Sequence, residues 1–416
     1  MYLGRQKDGE KVVLPSHDLL THGVILGRTG SGKTGLTVTL IEEAAGAGAS
    51  VVVLDPKGDL ANLALSLSSA GDFRAWADEE TRLKHGDGLA KFDLGFEHVE
   101  YWRQHCADVR VYCPGRKDMG VNLFPSFACP VSPSREHAAR CVSAVLRAIV
   151  NSEDPYDPAA VYMTEAVMES WSRAMPLPLG QWPGALTDPP DEITKIGGMN
   201  LEDFYPRKQR LSLARRLIGF WQQAERWISG YEFDLHTHVN WEVKPNVAVF
   251  SLRHLSEDER KFFAALFMNK VQEFMSETGS ADYLKLLVCL DEARGYLPPH
   301  PYNPPTKEPI CTILAQGRAH GIGMLIGTQS PMDLDYKALG NVGTWFVGRL
   351  RERDCVRDLA AELSNRGVTP ERVSGLQQRR FLLMDKRGKH MELDTRQTFN
   401  FLFGPMGPEH IARLPR

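Results

Sequence analysis

Apolar runs without a polar face recur along the chain, each stopped by glycine or by a polar pair. Val24-Ile25-Leu26, Val51-Val52-Val53-Leu54, Val247-Ala248-Val249-Phe250, Leu286-Leu287-Val288-Cys289-Leu290 and Met324-Leu325-Ile326 are of this kind. Such runs suit central strands of a parallel sheet covered by helices on both sides. Helical spacing follows the first run, from Leu36 to Ala45. Ser256 with Glu259 forms a capping box that opens a helix to about Met275. Ile310 to His320 reads as a helix carrying Gln316, Arg318 and His320, and Arg353 to Leu363 as another. Asp108 to Gly115 and Trp345 to Leu350 read as further strands. Two hairpins are predicted: Tyr2-Leu3-Gly4 with Lys11 to Leu14 across Asp8-Gly9, and Arg380 to Asp385 with His390 to Leu393 across residues 386–389.

Strand signal nearly vanishes from Ser134 to Ser229. Helices are predicted there over Arg135–Val150, over Ala159–Met175 after the Asp157-Pro158 start, and over Leu211–Ile228, with a Pro/Gly-rich loop from Pro176 to Pro190. The predicted class is therefore α/β: a central, mainly parallel sheet encoded by residues 1–125 and 245–416, interrupted by an all-helical insertion over 126–244.

Composition narrows the function classes. The 416 residues are 43% apolar and carry a net charge of -3, so no global basic signature marks a nucleic-acid binder. A local basic channel remains compatible with that balance. Seven cysteines are scattered without a C-x-x-C pair, which predicts free thiols in a reducing cytoplasm and no zinc site. No apolar run of about 18 residues is present, so no membrane insertion is expected.

The chemistry concentrates at the ends of the apolar runs. Gly27-Arg28-Thr29-Gly30-Ser31-Gly32-Lys33-Thr34 fits G-x-x-x-x-G-K-[ST], the phosphate-binding loop of nucleoside triphosphatases. Gly27, Thr29, Gly30, Ser31, Gly32 and Gly35 bring backbone N–H groups to phosphate, Lys33 neutralises the β/γ oxygens, and Thr34 offers a hydroxyl to Mg²⁺. Asp55 and Lys57 follow the second run directly. Either could contact nucleotide, while a turn-forming carboxylate and a solvated lysine are the plainer alternatives. The fourth run ends in Asp291-Glu292, which suits a Mg²⁺-holding aspartate followed by a water-activating base. Gln329 ends the fifth, where it can sense the γ-phosphate or align water. ATP and Mg²⁺ are the cofactors this set calls for.

The order of these pieces resembles the HerA/FtsK branch of RecA-like ATPases, closest to HerA-type DNA translocases. The resemblance is carried by His22 to Thr34, Asp55-Pro56-Lys57-Gly58-Asp59, Leu290-Asp291-Glu292-Ala293, Gly317 to Ile322 and Gly327-Thr328-Gln329-Ser330-Pro331. It implies a RecA-like fold, a homo-oligomeric ring, typically a hexamer, with nucleotide between subunits, and DNA as the moved substrate. It further implies that Arg318 reaches a neighbour's γ-phosphate in trans, with Arg349 or Arg351 as weaker candidates. Lys244, Arg253, His254 and the cluster Arg207-Lys208-Gln209-Arg210 are candidate DNA contacts. HerA-type proteins usually carry an N-terminal β-barrel ahead of the phosphate loop. Only 26 residues precede Gly27, which suggests a minimal motor, a fragment, or a member of a multi-protein system with a nuclease or defence partner. The alternatives are a secretion or conjugation ATPase acting on protein or nucleoprotein, a nucleotide-switched assembly module and a small-molecule kinase. Glu292 argues against the module, and the Asp-Glu pair and the insertion argue against the kinase.

Overall fold

A computed structural model describes residues 1–124, 127, 133–150, 156–228, 230–352, 359, 363, 368–385 and 388–414. The chain forms two compact units. One comprises Met1–Pro114, Asp234–Ala264 and Val271–Arg416, and the other Gly115–Phe233 with Ala265–Lys270.

The first unit is built on an 11-stranded sheet. Its strands are β1 (Tyr2–Arg5), β2 (Lys11–Val13), β3 (Gly23–Leu26), β4 (Ser50–Asp55), β5 (Asp108–Tyr112), β6 (Asn246–Ser251), β7 (Ala281–Leu290), β8 (His320–Thr328), β9 (Thr344–Val347), β10 (Arg380–Met384) and β11 (His390–Thr395). Their order across the sheet is β2-β1-β11-β10-β9-β3-β8-β7-β4-β6-β5. From β9 to β5 every pairing is parallel, while β10, β11, β1 and β2 pair antiparallel. The apolar runs predicted as central strands are those of the parallel block, and β3 and β4 are buried at every position. Covered on both faces, they have no polar side to show. Both predicted hairpins form, and β1 pairs with β11, so the two ends of the chain close one edge of the sheet.

Two expectations change. The helix expected over Ile310–His320 runs over Lys307–Gln316. Gly317–Ala319 is a tight turn and His320 already belongs to β8. An added Cβ on Gly317 would come 3.0 Å from the Ile322 carbonyl, so the chain doubles back there. The predicted loop Pro176–Pro190 contains a short helix, Trp182–Thr187, anchored by the fully buried Trp182. Most of the predicted helix Arg353–Leu363 lies outside the described residues, as do residues 386 and 387 of the second hairpin.

The second unit contains helices Arg135–Val150, Pro158–Ser172 and Arg207–Ile228, with short strand pairs only. Asp157 caps the second helix by accepting from Ala159 N at 2.8 Å. Cys106, Cys113, Cys141, Cys289 and Cys311 form no disulfide. Among the described residues no helix is long and apolar enough to cross a membrane.

A buried ion cluster ties the chain's end to the helix after the phosphate loop, α1 (Lys33–Gly46). Arg396 and Glu42 are both fully buried, 2.9 Å apart, and Arg396 also lies 2.8 Å from Glu43. Its guanidinium stands 4.1 Å from the Phe399 ring centre. Arg396→Met leaves Glu42 without its cation in the interior, and a loss of about 3–5 kcal/mol is expected by urea unfolding.

Three buried histidines set the acid limit. His22 accepts from Met324 N at 3.0 Å, and His85 lies 3.0 Å from Gln397 Nε2 within a cluster of aromatic rings. The His238 ring nitrogen donates to Val51 O at 3.1 Å. Burial lowers each from 6.5 to about 4. The unfolded chain takes up these protons near pH 6.5 and the folded one does not. The stability is therefore present above pH 6.5 and lost as pH falls through about 4, each group contributing about 3 kcal/mol. Between pH 6.5 and about 4 the melting temperature of His85→Phe is expected to fall less than that of wild type, the difference being this histidine's share.

Candidate functional site

Strand register brings the site together. Leu26 of β3 is paired with Thr328 of β8, Leu290 of β7 with Ile326, and Leu290 with Leu54 of β4. The four strands therefore end within two residues of one another, and the segments that follow them, Gly27–Lys33, Asp55–Gly58, Asp291-Glu292 and Gln329, emerge at one edge. This is the carboxyl edge where open α/β sheets bind ligands.

The phosphate loop is shaped for an anion. Gly30 and Gly32 have φ of 79° and 98°, the left-handed region that glycine enters freely. A Cβ on Gly27 would sit 2.5 Å from Ser31 Oγ, and that hydroxyl is buried without a partner. Helix α1 starts at Lys33 from Gly32, which has no side chain to cap the first turn. Its positive end stays open to an anion. Lys33 Nζ folds back on Gly27 O. Burial, then the charge of Lys57, lowers the Lys33 pKa, and Glu292 and Asp291 oppose that shift.

Across from the loop, Asp291 is pushed up by burial, against the pull of Lys57. It packs so closely that a Cβ on Gly327 would meet its Oδ1 at 2.7 Å. Glu292 takes φ of 52°, a backbone position uncommon outside glycine. Its carboxylate pairs with Lys57 and accepts from Gln329 Nε2 at 3.0 and 3.2 Å. Gln329 Oε1 accepts from Thr29 Oγ1 at 3.3 Å, which closes a chain of contacts back to the phosphate loop. Among the described residues no group of three His, Cys, Asp or Glu could hold a metal. The hydroxyl of Thr34 and the carboxylate of Asp291 suit instead a Mg²⁺ that keeps several waters and completes its shell with phosphate oxygens.

Asp55 differs from expectation. Named among the nucleotide contacts, it is fully buried and accepts from Gly58 N at 2.8 Å, Leu60 N at 2.9 Å and Ala61 N at 3.1 Å. It shapes the Asp55–Gly58 turn from inside. Burial, then the nearby Asp291, pushes its pKa up to about 7.

Arg318 lies at the amino end of β8, and that strand alone spans roughly 27 Å at about 3.3 Å per residue. It is exposed and lines a cleft of about 880 Å³ with His17, Thr21, Asp282, Gln316 and His320. It cannot reach its own phosphate loop. Arg349 stands by that loop, its carbonyl accepting from Arg28 N at 3.0 Å. Of the suggested DNA contacts, Arg210 is buried against Glu202 and Tyr205, Lys244 donates to Arg103 O at 3.0 Å, and His254 lies 2.8 Å from Pro114 O.

One residue next to the site carries no signal in the sequence. Arg379, with φ of 66°, donates from its backbone to Ser31 O at 2.8 Å, and a Cβ on Gly32 would touch its Cα at 3.0 Å. Its guanidinium donates to Gln397 Oε1 at 2.6 Å and Arg396 O at 2.7 Å. The phosphate loop thus rests on the start of β10, more than 300 residues away in sequence.

Comparisons with known proteins bear on the fold. Residues 2–94 match the family model described as the central domain of the helicase HerA. No protein of curated function matches the chain by sequence. The fold is similar to the plasmid coupling protein TrwB in complex with the GTP analogue GDPNP, with a TM-score of 0.58 at 13% identity over 95% of this chain and 90% of that one. TrwB with the ATP analogue ADPNP gives 0.58 at 12% identity, over 98% and 91%. VirB4 of Thermoanaerobacter pseudethanolicus gives 0.51 at 12%, over 99% and 97%. The fold is that of a RecA-like P-loop NTPase.

Gly27→Ala tests the loop geometry. Its Cβ drives Ser31 out of place, and at least a tenfold loss of affinity for a non-hydrolysable ATP analogue is expected by equilibrium titration, with the fold retained.

Proposed function

We propose that this RecA-like P-loop NTPase of the HerA/FtsK type is a Mg²⁺-dependent ATPase that works as a homo-oligomeric ring, a hexamer, and moves DNA. The observation that carries the proposal is the meeting of the phosphate loop, Asp291-Glu292, Lys57 and Gln329 at one sheet edge, within hydrogen-bond reach of one another. The amides from Gly27 to Gly35 cradle the phosphates, and Lys33 leaves Gly27 O for the β/γ oxygens. Thr34 and Asp291 would hold Mg²⁺, which would neutralise charge on those oxygens. Glu292 takes a proton from the water that attacks the γ-phosphorus, ADP departs from the other side, and Gln329 aligns the water.

The place of Arg318 supports the ring. Facing away from its own site, it is free to reach a neighbour's γ-phosphate in trans. The DNA reading draws on the loops that continue from Glu292 and Gln329. Tyr302 and Tyr336 are 70% and 59% exposed there, beside exposed Arg294, Met332 and Lys337. The loops are tied together by Asp335, which bonds Leu297 O through its N–H at 2.9 Å and Lys307 through its carboxylate at 2.7 Å. Exposed aromatic faces among cations suit bases and phosphates.

A second reading is favoured by the similarity to a conjugative coupling protein and to VirB4: the same ATPase chemistry serving a conjugation or secretion complex, acting on protein or nucleoprotein. A nuclease or defence-system partner fits either setting. Glu292→Gln is expected to lower kcat by about 10²–10⁴-fold while nucleotide still binds, and equal turnover removes the assignment. Turnover stimulated by double- or single-stranded DNA from a hexamer, measured by phosphate release and mass in solution with ATP and Mg²⁺, supports the DNA motor. A monomer indifferent to DNA points to a partner-dependent module.

A further inference from the structure

The carboxylate assigned to proton transfer is occupied on both oxygens. Lys57 pairs with Glu292 Oε2, and Gln329 Nε2 donates to Oε1 at 3.0 Å and to Oε2 at 3.2 Å. A general base needs a lone pair open to the water it deprotonates. In this arrangement three donor contacts already engage the two Glu292 oxygens.

We propose that Lys57 is a positioning residue with two stations. Paired with Glu292, it withholds the carboxylate from water. When the terminal phosphate of a nucleoside triphosphate arrives, the ammonium turns to that phosphate and the base is released. The inference rests on the reading of Glu292 as the base.

Three features carry it. The lysine is the freer partner, since its side chain is 39% exposed against 19% for Glu292, and its four-carbon stem reorients without backbone movement. The backbone beneath it is held. Asp55 fixes the turn through three amides, and Gly58, at φ of 85°, is clamped by the end of the chain. Met406 N donates to Gly58 O at 2.9 Å, and a Cβ on Gly58 would meet Met406 O at 2.5 Å. Only the side chain is left to move. Finally, Lys57 and Lys33 act on each other as like charges across the phosphate loop. An anion placed there relieves that repulsion and competes directly with Glu292 for Lys57. ADP, which has no γ-phosphate, leaves the pair intact.

Nucleotide binding then has to break the Lys57–Glu292 pair, and removing Glu292 spares that cost. The test is equilibrium titration of full-length protein with a fluorescent non-hydrolysable ATP analogue and with ADP, both with Mg²⁺, in wild type, Glu292→Gln, Lys57→Met and the double variant. Circular dichroism checks that each is folded. Glu292→Gln is expected to bind the triphosphate analogue about two- to fivefold tighter, the size of one partly exposed ion pair. That gain is expected to vanish in the Lys57→Met background and to be absent with ADP. A gain that persists without Lys57 means that Glu292 merely repels the phosphates, and it overturns the proposal. No gain in the Glu292→Gln variant overturns it as well. A wild-type protein that binds neither nucleotide overturns the ATPase reading along with it, whereas the first two outcomes leave that reading standing.

Discussion

Parallel pairing of β3, β8, β7 and β4 is the constraint on which everything at the site depends. Parallel strands need crossover connections, so the segments that leave their carboxyl ends come from distant parts of the sequence. Pairing Leu26 with Thr328 and Leu290 with both Ile326 and Leu54 keeps those ends within two residues of one another. A one-residue slip would turn each side chain to the other face of the sheet and move its loop by about 3.3 Å. Hydrogen bonds of the kind that join Thr29, Gln329 and Glu292 would not survive that shift.

The parallel block is secured from outside by the antiparallel strands. β10 and β11 bring the second half of the chain back to β9 and β1, and that return carries Arg379 under the phosphate loop and Arg396 into the interior beside Glu42. From there the terminal segment continues past Asn400, which donates to Glu42 from its backbone at 2.9 Å and from its side chain at 2.8 Å, and on to Met406 at Gly58. Helix α1, the phosphate loop and the Asp55–Gly58 turn are thus braced by one stretch near the end of the chain. The buried charges of this brace gain little net stability as a pair, but each is costly without its partner. That asymmetry holds the stretch in one place.

The site joins a rigid frame to a few movable side chains. Backbone in the left-handed region recurs at Gly30, Gly32, Gly58 and Glu292, close packing holds it at Gly32 and Gly58, and Lys33 and Lys57 rest on internal partners. A phosphate can draw both lysines toward itself without any shift of the strands beneath. The electrostatic work of binding then falls on side chains that are cheap to move.

Much of this was readable from residue order. The unbroken apolar runs gave away β3, β4, β6, β7 and β8, because strands buried on both faces cannot carry polar residues. Gly27 to Thr34 and Asp291-Glu292 were legible because a phosphate cradle and a strand-end acid pair are local patterns. Three things were decided only in three dimensions. Asp55 has the same neighbours in sequence whether it faces a ligand or its own turn, and only burial shows that it faces inward. Arg318 reads as part of a helix until the fold puts it at the far end of β8 from its own phosphate loop. Arg379, Arg396 and Met406 have no motif at all, since their partners lie hundreds of residues away and are met through sheet pairing. Local chemistry is written in the sequence because it depends on near neighbours, whereas the support of that chemistry depends on which distant segments the sheet brings together.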